Sequence, residues 1–276
     1  MPSAAINGVD LYYELHGDSG EPLVLVHGYT GDISDWRHQI PEFSRTHRVL
    51  VLDLRGHGQS QAPTDRSVYT VPQMSHDVEA LAEHVGFDRY HLLGHSMGGA
   101  VVQEVALRSP QMLLSLTLHD TAYRFNLDAD PAIAVWRDLR FGMAESKGMA
   151  AVADMEPALP PPPHMPAERI EETKERLSRM SVDAFIGAWD GLTAWEGTGD
   201  RAHAIETPTL IIYGDLDMPL LTEASLKLAQ LIPGATVEAI PETGHSPQWE
   251  RPALFNAALR AFLEKVAARP LRQTLG

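Results

Sequence analysis

The sequence predicts an α/β fold: a mostly parallel sheet with helices on both faces and one inserted helical segment. Three observations predict it. Short, continuous apolar runs recur along the chain, as in strands buried on both faces. A stretch with helical spacing follows most of them. Between about residues 124 and 205 the rhythm stops, and no buried strand is legible there.

The elements follow in order. "AINGVDLYYELHG" reads as a hairpin, because Asn7-Gly8 supplies the two positive-φ positions of a tight turn. "LVLV" and "VLVLDL" are buried strands, the second ending at Asp53. "VPQMSHDVEALAEHVG" carries Met74, Val78, Leu81 and Val85 at helical spacing. "YHLLGHS" is a third buried strand, and "GAVVQEVALRSP" a helix closed by Pro110. "LLSLTLHD", "PTLIIYGDLD" and "ATVEAIPETGH" complete the set. Helical stretches follow in "TEASLKLAQLI" and "PALFNAALRAFLEKVAA". Two segments, 1–123 and 206–276, thus form one core, and 124–205 is an insertion expected to roof the strand ends as a cap.

The insertion has its own composition. It holds three of the five Trp (Trp136, Trp189, Trp195), five of the ten Met and the Pro-rich "EPALPPPPHMP". "AERIEETKERLSRM" is amphipathic, with Ile170, Leu177 and Met180 on one side. Its Glu172–Arg176 and Glu175–Arg179 spacings suit i,i+4 pairs. Trp and Met line apolar ligand pockets, and they equally fill a helical core.

Composition excludes several roles. A formal charge of −15 repels phosphate backbones and anionic membranes. Nucleic-acid and membrane partners are not expected, and a small-molecule substrate is. No Cys occurs among the 276 residues, which removes disulfides, Cys nucleophiles and Cys metal sites. The first residues lack the basic and apolar regions of a signal peptide, so a cytoplasmic location is expected. No apolar run reaches the length of a membrane span. H-E-x-x-H, a P-loop and a G-x-G-x-x-G after a first strand are all missing, so no metal or organic cofactor is expected. Oligomeric state has no signature in the sequence.

One constellation carries chemistry. Gly94-His95-Ser96-Met97-Gly98 matches G-x-S-x-G between a buried strand and a helix. Small residues on both sides of the Ser allow a sharp strand-to-helix turn, which would expose the hydroxyl at the tip of the sheet. The alternative is a Ser helix cap. A nucleophilic Ser needs a base, and the base an orienting carboxylate. His245, among 13 histidines, follows the last strand in a Gly-containing loop. Asp217, Asp215 and Asp120 all end strands and can each supply the acid. An oxyanion needs backbone donors. The Met97 amide opens the helix, and the Tyr29 amide, with Thr30 as second choice, lies in the loop after "LVLVHG". His27 is read as a brace for that loop.

"HGYTG", "DLRGHGQS", "GHSMGG", "YGDLDMP" and "GHSPQWERP", in this order, resemble the successive signatures of the α/β-hydrolase superfamily with a helical cap. The resemblance covers nearly the whole chain. It implies Ser96 as nucleophile, Asp217 as acid, His245 as base and an oxyanion hole at Tyr29 and Met97. It also makes Asp53 and Arg55 structural supports. In many relatives the proline after the acid lies further along than Pro219, and some place the acid where Asp120 stands. Relatives that dehalogenate or open epoxides use Asp at the elbow, so Ser96 points away from those reactions.

A Ser nucleophile implies acyl transfer. The reading that follows is hydrolysis of carboxylic esters or lactones of small, fairly apolar substrates through an acyl-enzyme, with Trp136, Trp189 and Trp249 against the substrate. Alternatives are a carbon–carbon bond hydrolase of ring-cleavage dienoates, a perhydrolase-like activity and a ligand receptor with slow hydrolysis. "HSPQWE" resembles the first group, in which a Trp follows the catalytic His. That group usually has Asn where His95 stands, and its anionic substrates want a cap Arg such as Arg124, Arg137 or Arg140. "SMGG" is shared with perhydrolases.

Overall fold

The computed structural model describes residues 2–155 and 161–268. Eight strands form one sheet: β1 (Ser3–Ile6), β2 (Val9–His16), β3 (Pro22–Val26), β4 (Arg48–Leu52), β5 (Tyr90–His95), β6 (Leu113–His119), β7 (Thr209–Gly214) and β8 (Thr236–Ile240). Their spatial order is β1-β2-β4-β3-β5-β6-β7-β8. β2 runs antiparallel to β1 and β4, and all pairings from β4 to β8 are parallel. The hairpin turn is the expected one, with Asn7 and Gly8 at φ 47° and 81°.

Side-chain alternation sorts the apolar runs into two layers. Val24, Val26, Leu50, Leu52 and Leu92 face one hydrophobic cluster. Their neighbours Leu23, Leu25, Val49, Val51 and Leu93 face the other. A strand buried on both faces needs apolar residues at every position, so β3 reads "PLVLV". Each such side chain contributes roughly 1.5–3 kcal/mol on burial.

Ten helices are described. α1 (Ile40–Phe43), α2 (Val71–His84) and α3 (Met97–Arg108) precede the insertion. α4 (Pro131–Lys147), α5 (Met149–Ala153), α6 (Ala167–Arg179) and α7 (Val182–Thr193) lie between β6 and β7 in sequence. α8 (Pro219–Leu231), α9 (Pro247–Glu250) and α10 (Pro252–Ala267) complete the chain. Several begin as their sequences ask. Thr70 caps α2 through the Gln73 amide, and Asp130 caps α4 with Pro131 behind it. No helix among the described residues is long and apolar enough to cross a membrane.

The inserted helices pack in two ways. Ala144, Met149, Val152, Leu177, Phe185 and Ile186 form a small cluster of their own. Trp189, Leu192 and Trp195 join the main cluster under the sheet edge. The pairs expected within α6 do not form. Arg176 reaches Asp32 and Asp35 on the core, and Glu172 meets Arg37. Arg169 also pairs with Asp35, which is 4% exposed. A buried carboxylate competes better for a guanidinium than a solvated glutamate one turn away, because solvent screens the latter. The ion pairs therefore latch α6 to the core. Residues 156–160 of the Pro-rich stretch lie outside the described residues.

Candidate active site

Ser96 sits between the central strand β5 and α3 with φ 52° and ψ −116°. A non-Gly residue with positive φ is costly and must be held by its surroundings. Here a Cβ on Gly94 would collide with the Gly98 backbone, and one on Gly98 with the carbonyls of Val26 and His27. Only glycines let strand and helix meet this closely. The Ser96 carbonyl accepts from the Thr121 hydroxyl at 2.7 Å, and the Ser96 amide donates to the His119 carbonyl at 2.9 Å. The hydroxyl itself makes no capping hydrogen bond. The helix-cap alternative for Ser96 therefore does not describe this turn.

Asp217 and His245 lie in the loops after β7 and β8. His245 Nδ1–H donates to Asp217 Oδ2 at 2.8 Å, which leaves Nε2 as the unprotonated nitrogen of the neutral ring. Asp217 is 8% exposed and also accepts from the Met218 amide at 2.7 Å. Burial alone raises the Asp217 pKa, but the His245 cation opposes it and the net shift is downward. Burial lowers the His245 pKa, and the attraction of Asp217 overrides this and pushes it up to about 9. Solvent reaches 36% of the imidazole side chain, which weakens that pull. No hydrogen bond joins Ser96 Oγ to His245 among the described residues. Such contacts commonly close only around a bound substrate.

The other candidate acids fall differently. Asp215 is exposed. Asp120 is buried directly behind the Asp217–His245 pair, and one ligand-type atom from each of the three lies within 4.8 Å of the others. Its Oδ1 accepts from the Gly214 amide at 3.0 Å. Burial, and then the Asp217 charge, raise the Asp120 pKa well above the carboxylate range. The site thus pairs an ionised acid with a neutral one.

His95 and Glu250, with His119 behind His95, hold the His245 loop in place, a part that the sequence did not assign them. His95 Nε2–H donates to the His245 carbonyl at 2.8 Å, and the two rings lie 4.8 Å apart. Burial pushes the His95 pKa well down, so the ring is neutral. Glu250 accepts from the amides on both sides of His245, Gly244 at 2.8 Å and Ser246 at 3.0 Å. His119 stacks on His95 at 4.5 Å and contacts Gln248 Oε1 at 2.7 Å through Nε2. The spacing of Glu250 from His245 across a Pro-initiated turn was the available signal for its role.

The loop after β3, expected to bind an oxyanion, lies beside the elbow. An added Cβ on Gly28 would stand 3.0 Å from Ser96 Cβ. His27 accepts the Leu54 amide at Nε2 (3.0 Å) and donates from Nδ1 to the Gly28 carbonyl (2.8 Å). This is the bracing arrangement expected of it. Tyr29 follows, and its hydroxyl donates to the Phe185 carbonyl at 2.8 Å, joining this loop to α7. Met97, fully buried, is the first residue of α3, ahead of the amides of Gly99 and Ala100 that bond back to Ser96. Its N–H stands at the positive end of the helix. Asp53 holds the amides of Ile33 and Gln59, and Arg55 pairs with Asp77 at 2.6 Å.

Of the three Trp expected against the substrate, two lie at the cap. Trp189 is 5.6 Å from the Tyr29 ring and 6.3 Å from Trp136. Trp249 is packed elsewhere. It is 2% exposed, against His38 and beneath the guanidinium groups of Arg169 (4.2 Å) and Arg37 (5.1 Å). Those contacts make it part of the seam between α6 and the core, and correct the substrate-binding expectation. A cleft of about 890 Å³ opens along that seam between residues 30–62 and 176–181, and no triad residue lines it.

Comparisons with known proteins identify the fold. The model of the alpha/beta hydrolase fold matches residues 21–252. The dihydrolipoyllysine-residue acetyltransferase component of the acetoin cleaving system of Pseudomonas putida is 31% identical over 92% of this chain, which spans 66% of that protein's length. A putative carbamate hydrolase, RutD, of Azorhizobium caulinodans is 28% identical, with 96% of this chain and 99% of that one covered. The crystal structure of the enol-lactonase from Burkholderia xenovorans LB400 superposes with a TM-score of 0.82 at 28% identity, covering 95% of this chain and all of that one. An elbow on the central strand, partners at later strand ends and a match over most of the sequence together place this chain in the α/β-hydrolase family.

Proposed function

We propose that this protein is a serine hydrolase of carboxylic esters or lactones. The observation that carries the reading is the unspent hydroxyl of Ser96, held at positive φ next in the chain to His95, which hydrogen-bonds the His245 carbonyl while His245 pairs with Asp217. His245 Nε2 takes the Ser96 proton as Oγ attacks the carbonyl carbon. The amides of Tyr29 and Met97 bind the oxygen that becomes negative. The alcohol leaves with the proton held by His245, and Ser96 carries the acyl group. His245 then takes a proton from water as it attacks the ester carbon, and returns that proton to Ser96 Oγ as the bond to the acyl carbon breaks and the free acid is released. In a lactone the leaving alcohol stays attached to the acyl chain. The similarity to an enol-lactonase supports a cyclic or open ester, and the aromatic cap supports a small acyl group.

The test is a panel of esters, lactones, carbamates and dienoates, each run against parent and Ser96→Ala. Turnover of esters or lactones that Ser96→Ala abolishes is the expected result. Preference for carbamates or dienoates would move the reaction class, and persistent single turnover would mark a receptor.

A further inference from the structure

Three buried polar atoms are left over where β5 and β6 end. His95 and His119 are paired in register at those ends, and partners in a parallel register share a face of the sheet. Consecutive strand residues normally point to opposite faces. Asp120, the next residue, breaks that alternation with φ 41°. His95 Nδ1, His119 Nδ1 and Asp120 Oδ2 are all buried, and no other described residue hydrogen-bonds to any of them. His119 Nδ1 and Asp120 Oδ2 are 3.0 Å apart. One ligand-type atom from each of the three residues lies within 4.8 Å of the others.

The far side of each group is already tied. His95 Nε2–H donates to the His245 carbonyl at 2.8 Å, and His119 Nε2–H to Gln248 Oε1 at 2.7 Å. The Gly214 amide holds Asp120 Oδ1 at 3.0 Å. In a neutral ring this leaves a lone pair on each Nδ1. Imidazoles that bind metal ions are fixed in the same way, with the other nitrogen donating to an oxygen. A proton on Asp120 Oδ2 can serve His119 Nδ1, but it leaves His95 Nδ1 without a partner. A divalent cation serves all three at once. Two imidazole nitrogens and a carboxylate oxygen suit zinc, with a fourth position for water. No spacing motif marks the set, because its members come from two strands rather than one helix.

We propose that His95, His119 and Asp120 form a zinc site, and that zinc bound there slows turnover at Ser96. The acyl transfer itself draws on no metal. Zinc displaces the proton of Asp120, which passes to solvent. Asp120, Asp217 and His245 also bring ligand-type atoms within 4.8 Å of one another. The ion therefore sets its charge beside Asp217, competes with His245 for that carboxylate and loosens the base. It enters past His245, whose side chain is 36% exposed and whose ring lies 4.8 Å from that of His95. The inhibition rests on the reading of His245 as base, and the site does not.

The test titrates zinc chloride into chelator-treated protein, with a zinc-binding dye as competitor. Parent and Ser96→Ala should take up zinc with equal affinity, because the nucleophile is no ligand. Asp120→Asn keeps the shape of the side chain and an oxygen for the Gly214 amide, but loses the anionic oxygen. It should weaken zinc about a hundred-fold or more, at least the upper end of what an outer partner costs, with a melting temperature near the parent's. His119→Gln should weaken zinc likewise through the lost nitrogen. No uptake by the parent overturns the site. Uptake that both variants leave unchanged belongs to surface histidines and overturns it too. In the second arm, zinc should slow p-nitrophenyl acetate hydrolysis by the parent, and a chelator should restore it. The zinc concentration that halves the rate should rise in Asp120→Asn by the same factor as the binding constant. Zinc that binds through Asp120 without slowing the parent overturns the inhibition and keeps the site. Turnover surviving in Ser96→Ala overturns the nucleophile reading and leaves the zinc site standing.

Discussion

The elbow and the cap are built by different means. At the elbow, backbone geometry dictates the residues. Gly94 and Gly98 are required by close approach, and Ser96 is held at φ 52° by a turn that admits little else. In the cap, side chains decide. Arg169 and Arg176 on α6 converge on Asp35, Tyr29 reaches up to Phe185, and Arg140, among the described residues, meets aromatic faces and no acid. Backbone constraints fix where the Ser96 hydroxyl stands. Side-chain contacts across a seam are easier to vary, and they are where selectivity for one substrate can change without disturbing the reaction.

The sharpest way to break this comparison is at the elbow. Ser96→Ala should cost roughly a thousand-fold or more in kcat on p-nitrophenyl esters while the melting temperature stays near the parent value. A variant within ten-fold of the parent would remove the nucleophile. Asp217→Asn comes next, at roughly a hundred-fold or more, because His245 Nδ1 loses the carboxylate that fixes its tautomer. Asp215→Asn, on an exposed carboxylate, should leave activity nearly intact, and the reverse ranking would reassign the acid.

The cap should respond in stability and KM instead. Asp35→Ala removes the buried carboxylate shared by Arg169 and Arg176, leaving them only the more exposed Glu172 and Asp32, and should cost about 3–5 kcal/mol in chemical denaturation. A loss under about 1 kcal/mol would mean that α6 is held by its apolar contacts. Burial would raise the Asp35 pKa, but the two arginines hold it below the usual carboxylate range. Its contribution is therefore present above the ordinary Asp pKa and lost only as strong acid protonates it.

The pH profile sharpens the elbow further. His245 acts only when neutral, so kcat/KM should rise with pH, with a midpoint above the ordinary His value and no higher than about 9. Asp217→Asn should move that midpoint down, and a His245 variant with residual activity should lose the limb altogether. The same pairing stabilises the fold below the ordinary His pKa, and this contribution fades as pH rises through about 9. A smaller effect than that of Asp217→Asn belongs to Asp120→Asn. The neutral acid is replaced by a neutral amide, so activity should fall by no more than about ten-fold. A loss matching that of Asp217→Asn would show that the two carboxyls work as one unit.

The core strands, the elbow and the chain order of Ser96, Asp217 and His245 were legible because each leaves a local mark: an apolar run, a glycine pair, an acid or a histidine just past a strand. The choice among Asp120, Asp215 and Asp217 was not local. All three end strands, and only packing separates an exposed carboxylate, a buried neutral one and one hydrogen-bonded to His245. Trp249 misled for a related reason. Its place after His245 suggested substrate, while its ring turns into the α6 seam.

By itself the sequence determined the two-faced burial of the strands and the position of the hydroxyl, since both follow from chain periodicity and from where a backbone can turn. Only the tertiary structure decided which carboxylate meets His245, that Glu250 and His95 hold the His245 loop, and that Arg140 has no acid partner among the described residues. Those properties depend on the dielectric and the partners around each group, and residues far apart in the chain supply them.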